Sequence, residues 1–169
     1  MTIRLATAAD LPLLAAIEQN AAALFSPDDL PPEHRSDTLP LERLQQVRAS
    51  GLLWVALAPS GAVAGFLVAE AAGDVLHVCE VSVTPEQGGK GLGRGLLATA
   101  IDHGRDAGYA ALTLTLTTFA HVPWNLPFYE RLGFRALAPA ECGERLQRIL
   151  EAESLSGLRN RVAMRLDLP

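Results

Sequence analysis

Apolar and polar positions along the chain recur with two different periods, and the switches between them mark out the elements. Thr2–Ala6 reads as a short strand. Thr7 with Asp10 forms a capping-box-like start, after which Leu11, Leu14, Ile17 and Ala21 recur at helical spacing. Residues Phe25–Asp37 hold Pro27, Pro31 and Pro32 among acids and read as a loop, and Leu39–Ala49 predicts a second short helix ended by Gly51. Leu52–Ala58 and Val63–Ala71 are strands around the Pro59-Ser60-Gly61 turn, and Val75–Thr84 is a further strand that stops at Pro85. Gly91–Ala107 then carries Leu92, Leu96, Leu97, Ala100 and Ile101 on one helical side, with Gly108 at its end. Leu112, Leu114 and Leu116 alternate with threonines, the pattern of a strand. Trp124–Leu132 predicts a short helix closed by Gly133, Phe134–Leu137 a strand, Glu141–Ser154 a helix and Arg161–Leu168 a last strand. The order β-α-α-β-β-β-α-β-α-β-α-β mixes hairpins with crossovers, which demands a mixed sheet flanked by helices.

The 169 residues suit one domain, 1–169, with no repeat or linker. An apolar share of 49% against 20% charged is that of a globular chain and excludes disorder. No apolar run approaches the roughly 18 residues of a membrane span, so no membrane partner is expected. The N-terminus lacks a secretory leader pattern, and two cysteines, Cys79 and Cys142, make no disulfide framework, which together predict a cytoplasmic protein. A net charge of −5 argues against nucleic acid. Between Ile17 and Gln46 six acids face two arginines, so that window carries −4 of the −5. The single lysine, Lys90, sits instead among glycines.

Those glycines form the most informative segment, Val81-Ser82-Val83-Thr84-Pro85-Glu86-Gln87-Gly88-Gly89-Lys90-Gly91-Leu92-Gly93-Arg94-Gly95. A strand runs through them into a helix. Absent side chains let backbone N–H groups approach an anion, and the helix N-terminus adds partial positive charge. Lys90 and Arg94 can neutralise what remains of a pyrophosphate. A P-loop would need glycine where Thr84 stands, and a dinucleotide fingerprint fits only as Gly93-x-Gly95-x-x-Ala98, inside the helix rather than at its opening. The segment resembles the acetyl-CoA signature of the GNAT (Gcn5-related N-acetyltransferase) superfamily. Phe128-Tyr129-Glu130-Arg131-Leu132-Gly133-Phe134 resembles that family's second motif, and the element order is similar along essentially the whole chain.

The resemblance implies an α/β (α+β) fold with a mixed, mostly antiparallel seven-stranded sheet flanked by helices. It implies that backbone groups of Val81, Ser82 and Val83 pair with the pantetheine arm of acetyl-CoA, and that Gly88, Gly89, Lys90, Gly91, Leu92 and Gly93 hold the pyrophosphate, with no metal needed. The family's Gln or Arg, three residues before the first signature glycine, is replaced here by Gly88, whose N–H remains a donor; Gln87 lies one residue early. Asn125, four residues before Tyr129, is expected to cap a helix or touch the cofactor, and Trp124 to pack or line the acceptor pocket.

The chemistry implied is N-acetyl transfer from acetyl-CoA to a primary amine, by direct attack in a ternary complex. Tyr129 matches the family's tyrosine near the departing sulfur, where a hydrogen bond to the thiolate is expected, since a phenol near 10 does not readily protonate a thiolate near 8.5. Glu80 and His77 compete as general base, with His121 or no protein base as further readings. Strand alternation puts 77 and 80 on opposite faces unless a bulge intervenes. His34 and His103 read as surface histidines, and Cys79 as a core cysteine despite the His77-x-Cys79 pair, which no second ligand pair follows. The acid-rich window favours a cationic amine, a small one or a peptide amino group. Residues 139–158 make a longer link than the family's, read as a dimer element of a homodimer or as a lid. Two rival classes remain: a non-catalytic acetyl-CoA-binding sensor or regulatory domain, and a nucleotide- or NAD-binding enzyme.

Overall fold

The structure, a computed structural model, describes residues 1–23, 37–117, 126–158 and 160–169. Its elements are β1 (Thr2–Leu5), α1 (Leu11–Ala22), α2 (Leu41–Ala49), β2 (Leu53–Leu57), β3 (Val63–Ala72), β4 (Val75–Val83), α3 (Leu92–Asp106), β5 (Ala111–Thr117), α4 (Leu126–Arg131), β6 (Arg135–Ala136), α5 (Glu144–Leu155) and β7 (Arg161–Asp167). The strands form one seven-stranded sheet in the order β1-β2-β3-β4-β5-β7-β6. Every neighbouring pair is antiparallel except β4 and β5. The predicted mixed, mostly antiparallel sheet is therefore the observed one.

Period-two alternation divides the apolar side chains between the two faces of this sheet. Trp54, Ala56, Leu67, Ala69, Leu76, Leu112 and Leu114 meet α3 on one face, against Leu92, Leu96, Leu97 and Ala100. Leu53, Val55, Phe66 and Val68 turn the other way and meet Leu11, Leu14 and Ile17 of α1 and Leu44 and Val47 of α2. A third cluster of Leu137, Cys142, Leu146 and Ala163 seats α5 against β7. Ala163 pairs with Thr115, so α5 lies on the face that carries α1 and α2. The two helical walls are tied together at one end. Glu70 of β3 is hydrogen-bonded by Arg43 of α2 at 3.2 Å through one carboxylate oxygen and by Arg145 of α5 through the other.

Some boundaries move. The helix read from Glu141 begins at Glu144, because Glu141 turns back to accept the Ala138 N–H at 3.0 Å and Arg135 at 2.9 Å, ending a separate 3₁₀ turn over Pro139–Glu141. β6 shrinks to two residues. His103, read as a surface histidine, is half-buried and sets its ring edge-on to Trp54 with centroids 5.3 Å apart. The loop read over Phe25–Asp37 and the readings on His34, His121, Trp124 and Asn125 fall, apart from Asp37, outside the described residues.

Candidate active site

β4 and β5 run side by side only from Val75, Leu76 and His77 to Ala111, Leu112 and Thr113, and then part. Beyond that point β5 stays paired with β7, while among the described residues no strand pairs with the side of β4 facing β5 from Val78 to Val83. The gap is a cleft of about 500 Å³ with Val78–Ser82 and Leu114–Leu116 as its floor. Glu18, Ala21 and Ala22 of α1 form one wall, Ala152, Glu153 and Ser156 of α5 the other, and Tyr129 and Arg161 close it.

A bulge decides which β4 side chains face this cleft. The ladder between β3 and β4 pairs Ala69 with Val78 and Val68 with Glu80, so Cys79 is the extra residue. Counting along β3, Glu70, Val68 and Phe66 share a face, and their partners His77, Glu80 and Ser82 share it too. Alternation alone had placed 77 and 80 on opposite faces; one inserted residue brings them to the same one. Arg43, already on Glu70, also reaches Cys79 Sγ at 3.5 Å and so braces the bulge. Cys79 itself packs against the α1–α2 core.

Glu80 and His77 nevertheless differ in setting. His77 lies where the strands are still paired, its ring buried and its Nδ1 2.8 Å from Thr113 Oγ1, and it is not among the residues lining the cleft. Burial holds it neutral, down to about 4, against the opposing pull of Glu153. Glu80 lines the cleft and accepts the Ser82 hydroxyl at 2.7 Å. Burial first, and the nearby Glu18 carboxylate second, push it up to about 7, against the hydrogen bond from Ser82 and the charge of Arg161.

Tyr129 reaches the cleft from α4. Its ring is buried and meets Phe128 and Phe134 edge-on at 5.1 and 6.0 Å, so the motif's aromatics fix the ring while its position lines the cleft. Burial and the charge of Glu80 raise its hydroxyl above the ordinary tyrosine range, which keeps it a hydrogen-bond donor.

The glycine loop fits a pyrophosphate. Gly89 and Gly91 take φ of 72° and 87°, the left-handed region that a side chain strains, and Gly91 is the N-cap of α3. The ladder of α3 opens with the Gly95 N–H to the Gly91 carbonyl at 2.9 Å, which leaves the N–H groups of Leu92, Gly93 and Arg94 ahead of it. Gly88, Gly89, Lys90, Gly91 and Arg94 are exposed, whereas Leu92 sends its side chain into the core and has only backbone to offer. The open side of β4 over Val81, Ser82 and Val83 suits an amide-bearing arm laid down as an added strand.

Glu18 and Asp37 belong to the acid-rich window that the sequence set beside the acceptor, whereas Glu153 and Arg161 were not singled out; all four line the cleft. A signal for Glu153 exists in the spacing of α5. Leu146, Ile149 and Leu150 are its inward positions, and the same stripe continues to an acid at 153.

The family model described as the acetyltransferase (GNAT) family matches residues 18–134 of the chain. Similar solved structures include a Mycobacterium tuberculosis protein in complex with CoA, at 18% identity and TM-score 0.74, covering 100% of both chains. The PaiA N-acetyltransferase of Thermoplasma acidophilum, in complex with coenzyme A, matches at 16% identity and TM-score 0.72 over 98% of each chain. The ribosomal-protein-alanine N-acetyltransferase of Brucella melitensis matches at 21% identity and TM-score 0.70, over 99% of this chain and 100% of that one.

Proposed function

Since the chain belongs to the acetyltransferase (GNAT) family, we propose that it moves an acetyl group from acetyl-CoA to a primary amine by direct attack in a ternary complex, with Glu80 as general base and Tyr129 as donor to the departing sulfur. The carrying observation is that the parting of β4 and β5, with the Cys79 bulge, sets Glu80 and Tyr129 in one cleft. Acetyl-CoA supplies a thioester whose acyl carbon accepts the amine and whose sulfur leaves as thiolate. The similar structures solved with coenzyme A support the cofactor, and the open side of Val81–Val83 with the N-terminus of α3 supports where it lies.

Glu80 takes the proton that the ammonium must lose. Raising a carboxylate from 4.5 to about 7 removes about 3 kcal/mol from a proton transfer out of an ammonium near 10. Burial thus turns a poor base into a serviceable one. Tyr129 keeps its proton and donates a hydrogen bond to the sulfur as negative charge grows there. His77, at about 4 and bonded to Thr113, has neither the basicity nor the position.

Thiol release from acetyl-CoA in the presence of amines tests the reading. In wild type, kcat/KM rises with pH through about 7 as Glu80 ionises. Glu80→Gln removes that limb and lowers kcat/KM by about a hundredfold or more. An unchanged pH profile in Glu80→Gln takes Glu80 out of the mechanism. Thermal stabilisation by acetyl-CoA with no turnover of any amine would make the chain a cofactor-binding domain instead.

A further inference from the structure

The bulge in β4 decides which way Glu80 faces, and residue type does not specify it. Val78-Cys79-Glu80 holds no glycine, and none of the three takes a positive φ. Ala69 pairs with Val78 and Val68 with Glu80. An unbroken ladder would instead set Cys79 opposite Val68 and Glu80 opposite Leu67, which belongs to the cluster under α3. Glu80 would then turn toward α3, into the side chains that surround Leu67. What keeps the extra residue in place comes from elsewhere in the fold.

One chain of hydrogen bonds crosses the bulge. The two hydrogens of Arg43 Nη2 serve two acceptors, Glu70 Oε2 at 3.2 Å and Cys79 Sγ at 3.5 Å. The Cys79 thiol in turn donates to the His77 carbonyl at 3.7 Å, two residues back. Burial pushes that thiol up, against the pull of Arg43, so it keeps the proton it donates. Glu70 stands opposite His77 in the ladder. Arg43 therefore grips β3 and β4 together beside the extra residue. Arg145 of α5 bonds the other oxygen of Glu70, and the two arginines are alike in exposure, 39% and 40%. Among the described residues Arg43 alone donates to the thiol.

Resting on the acetyl-transfer reading above, we propose that Arg43 of α2 is a positioning residue for the reaction: acting through the Cys79 thiol, it holds the β4 bulge and so keeps the Glu80 carboxylate in the cleft. Arg43 is not among the residues that line the cleft, so its effect reaches the chemistry only through β4. The setting of Glu80 depends on that hold. Ser82 beside it on β4, Glu18 of α1, Asp37 ahead of α2, Tyr129 of α4, Glu153 of α5 and Arg161 of β7 all line the cleft with it. The glycine loop lies beyond the end of β4 and is untouched by the change.

The test follows thiol release from acetyl-CoA against pH, with spermidine, glutamate and a short peptide with a free N-terminal alanine as acceptors. Arg43→Met keeps the aliphatic stem and removes the donors. It is expected to lower kcat/KM by about tenfold or more and to flatten the rise through about pH 7, while the Kd for acetyl-CoA stays within about twofold. Arg145→Met takes an arginine of like exposure from the same carboxylate and spares the thiol. Its kcat/KM stays within about threefold of wild type, with the pH profile unchanged. Cys79→Ala breaks the same chain as Arg43→Met, so the double variant loses no more than the worse single one. Cys79→Ser still accepts and donates, and keeps the rise with pH. A wild-type pH profile in Arg43→Met, equal losses in the two arginine variants, or losses that add in the double variant overturns the proposal and leaves Glu80 as base. Should Arg43→Met fail to fold, equal profiles in Cys79→Ala and Cys79→Ser overturn it in the same way. A rise with pH that survives in Glu80→Gln, or no turnover of any acceptor by wild type, overturns the acetyl-transfer reading and the proposal together.

Discussion

Burial acts on Glu80 and His77 in opposite directions, because it always opposes the charged form. The carboxylate rises to about 7 and the imidazole falls to about 4, which reverses the order of base strength that their ordinary values give. The residue types and positions were legible in the sequence; this reversal was not, since it depends on what surrounds each side chain. Tyr129 was legible through its motif. Its two aromatic neighbours, Phe128 and Phe134, supply the rigid seat that the motif's spacing implies. Tyr129→Phe keeps that seat and removes only the hydroxyl. It is expected to lower kcat by about tenfold while the Kd for acetyl-CoA stays within about twofold, as befits a contact made mainly in the transition state. A parallel loss in cofactor affinity, measured by calorimetry, would assign the hydroxyl to ground-state binding.

At the scale of elements, the period of the apolar pattern identified every strand and helix in the described residues, because burial on one face leaves that mark whatever the neighbours are. What it could not show is where two strands stop pairing. Leu112, Leu114 and Leu116 alternate with threonines along the whole of β5, yet only its first three residues have β4 beside them. The Cys79 bulge is equally silent, as neither glycine nor proline marks it. The strand–glycine–helix junction is different: its conformational demand is written in the residue type. Gly91 sits at φ 87° with no atom within 4 Å of the place a Cβ would take, so strain and not crowding penalises a substitution there. Gly91→Glu adds that strain and an anion where the pyrophosphate is proposed to lie, and the Kd for acetyl-CoA should rise by about tenfold or more. An unaltered Kd would move the pyrophosphate off this loop.

Across the described residues the shifted carboxylates fall into two electrostatic groups, lowered and raised. Asp10 is buried and takes both Arg4 nitrogens, at 2.7 and 3.1 Å, together with the Thr7 N–H at 2.7 Å. These contacts tie β1 to the start of α1, and the bond to Arg4, above all, lowers the Asp10 carboxyl from 3.8 to about 2. A group lowered in the folded state stabilises it above its unfolded pKa and loses that contribution as pH falls through the folded one. Asp10→Asn should therefore cost about 1–2 kcal/mol at neutral pH, discounted for the half-exposed Arg4, and flatten the acid limb of unfolding between pH 4 and 2. An equal acid slope in urea melts of both proteins would count against the pair. The cleft acids Glu18 and Glu80 belong to the second group, Glu18 raised by burial and then by Asp37, Glu80 by burial and then by Glu18, and their ionisation works against the fold. Sequence by itself determined the family and the sheet with its helices, and offered the glycine turn, Tyr129 and the competing bases Glu80 and His77 as candidates, because local periodicity and backbone demand leave their trace in residue type. Only the tertiary structure decided which carboxylates meet. Glu18, Asp37, Glu80 and Glu153 come from separate parts of the chain, and the gap that joins them exists only where β4 and β5 separate.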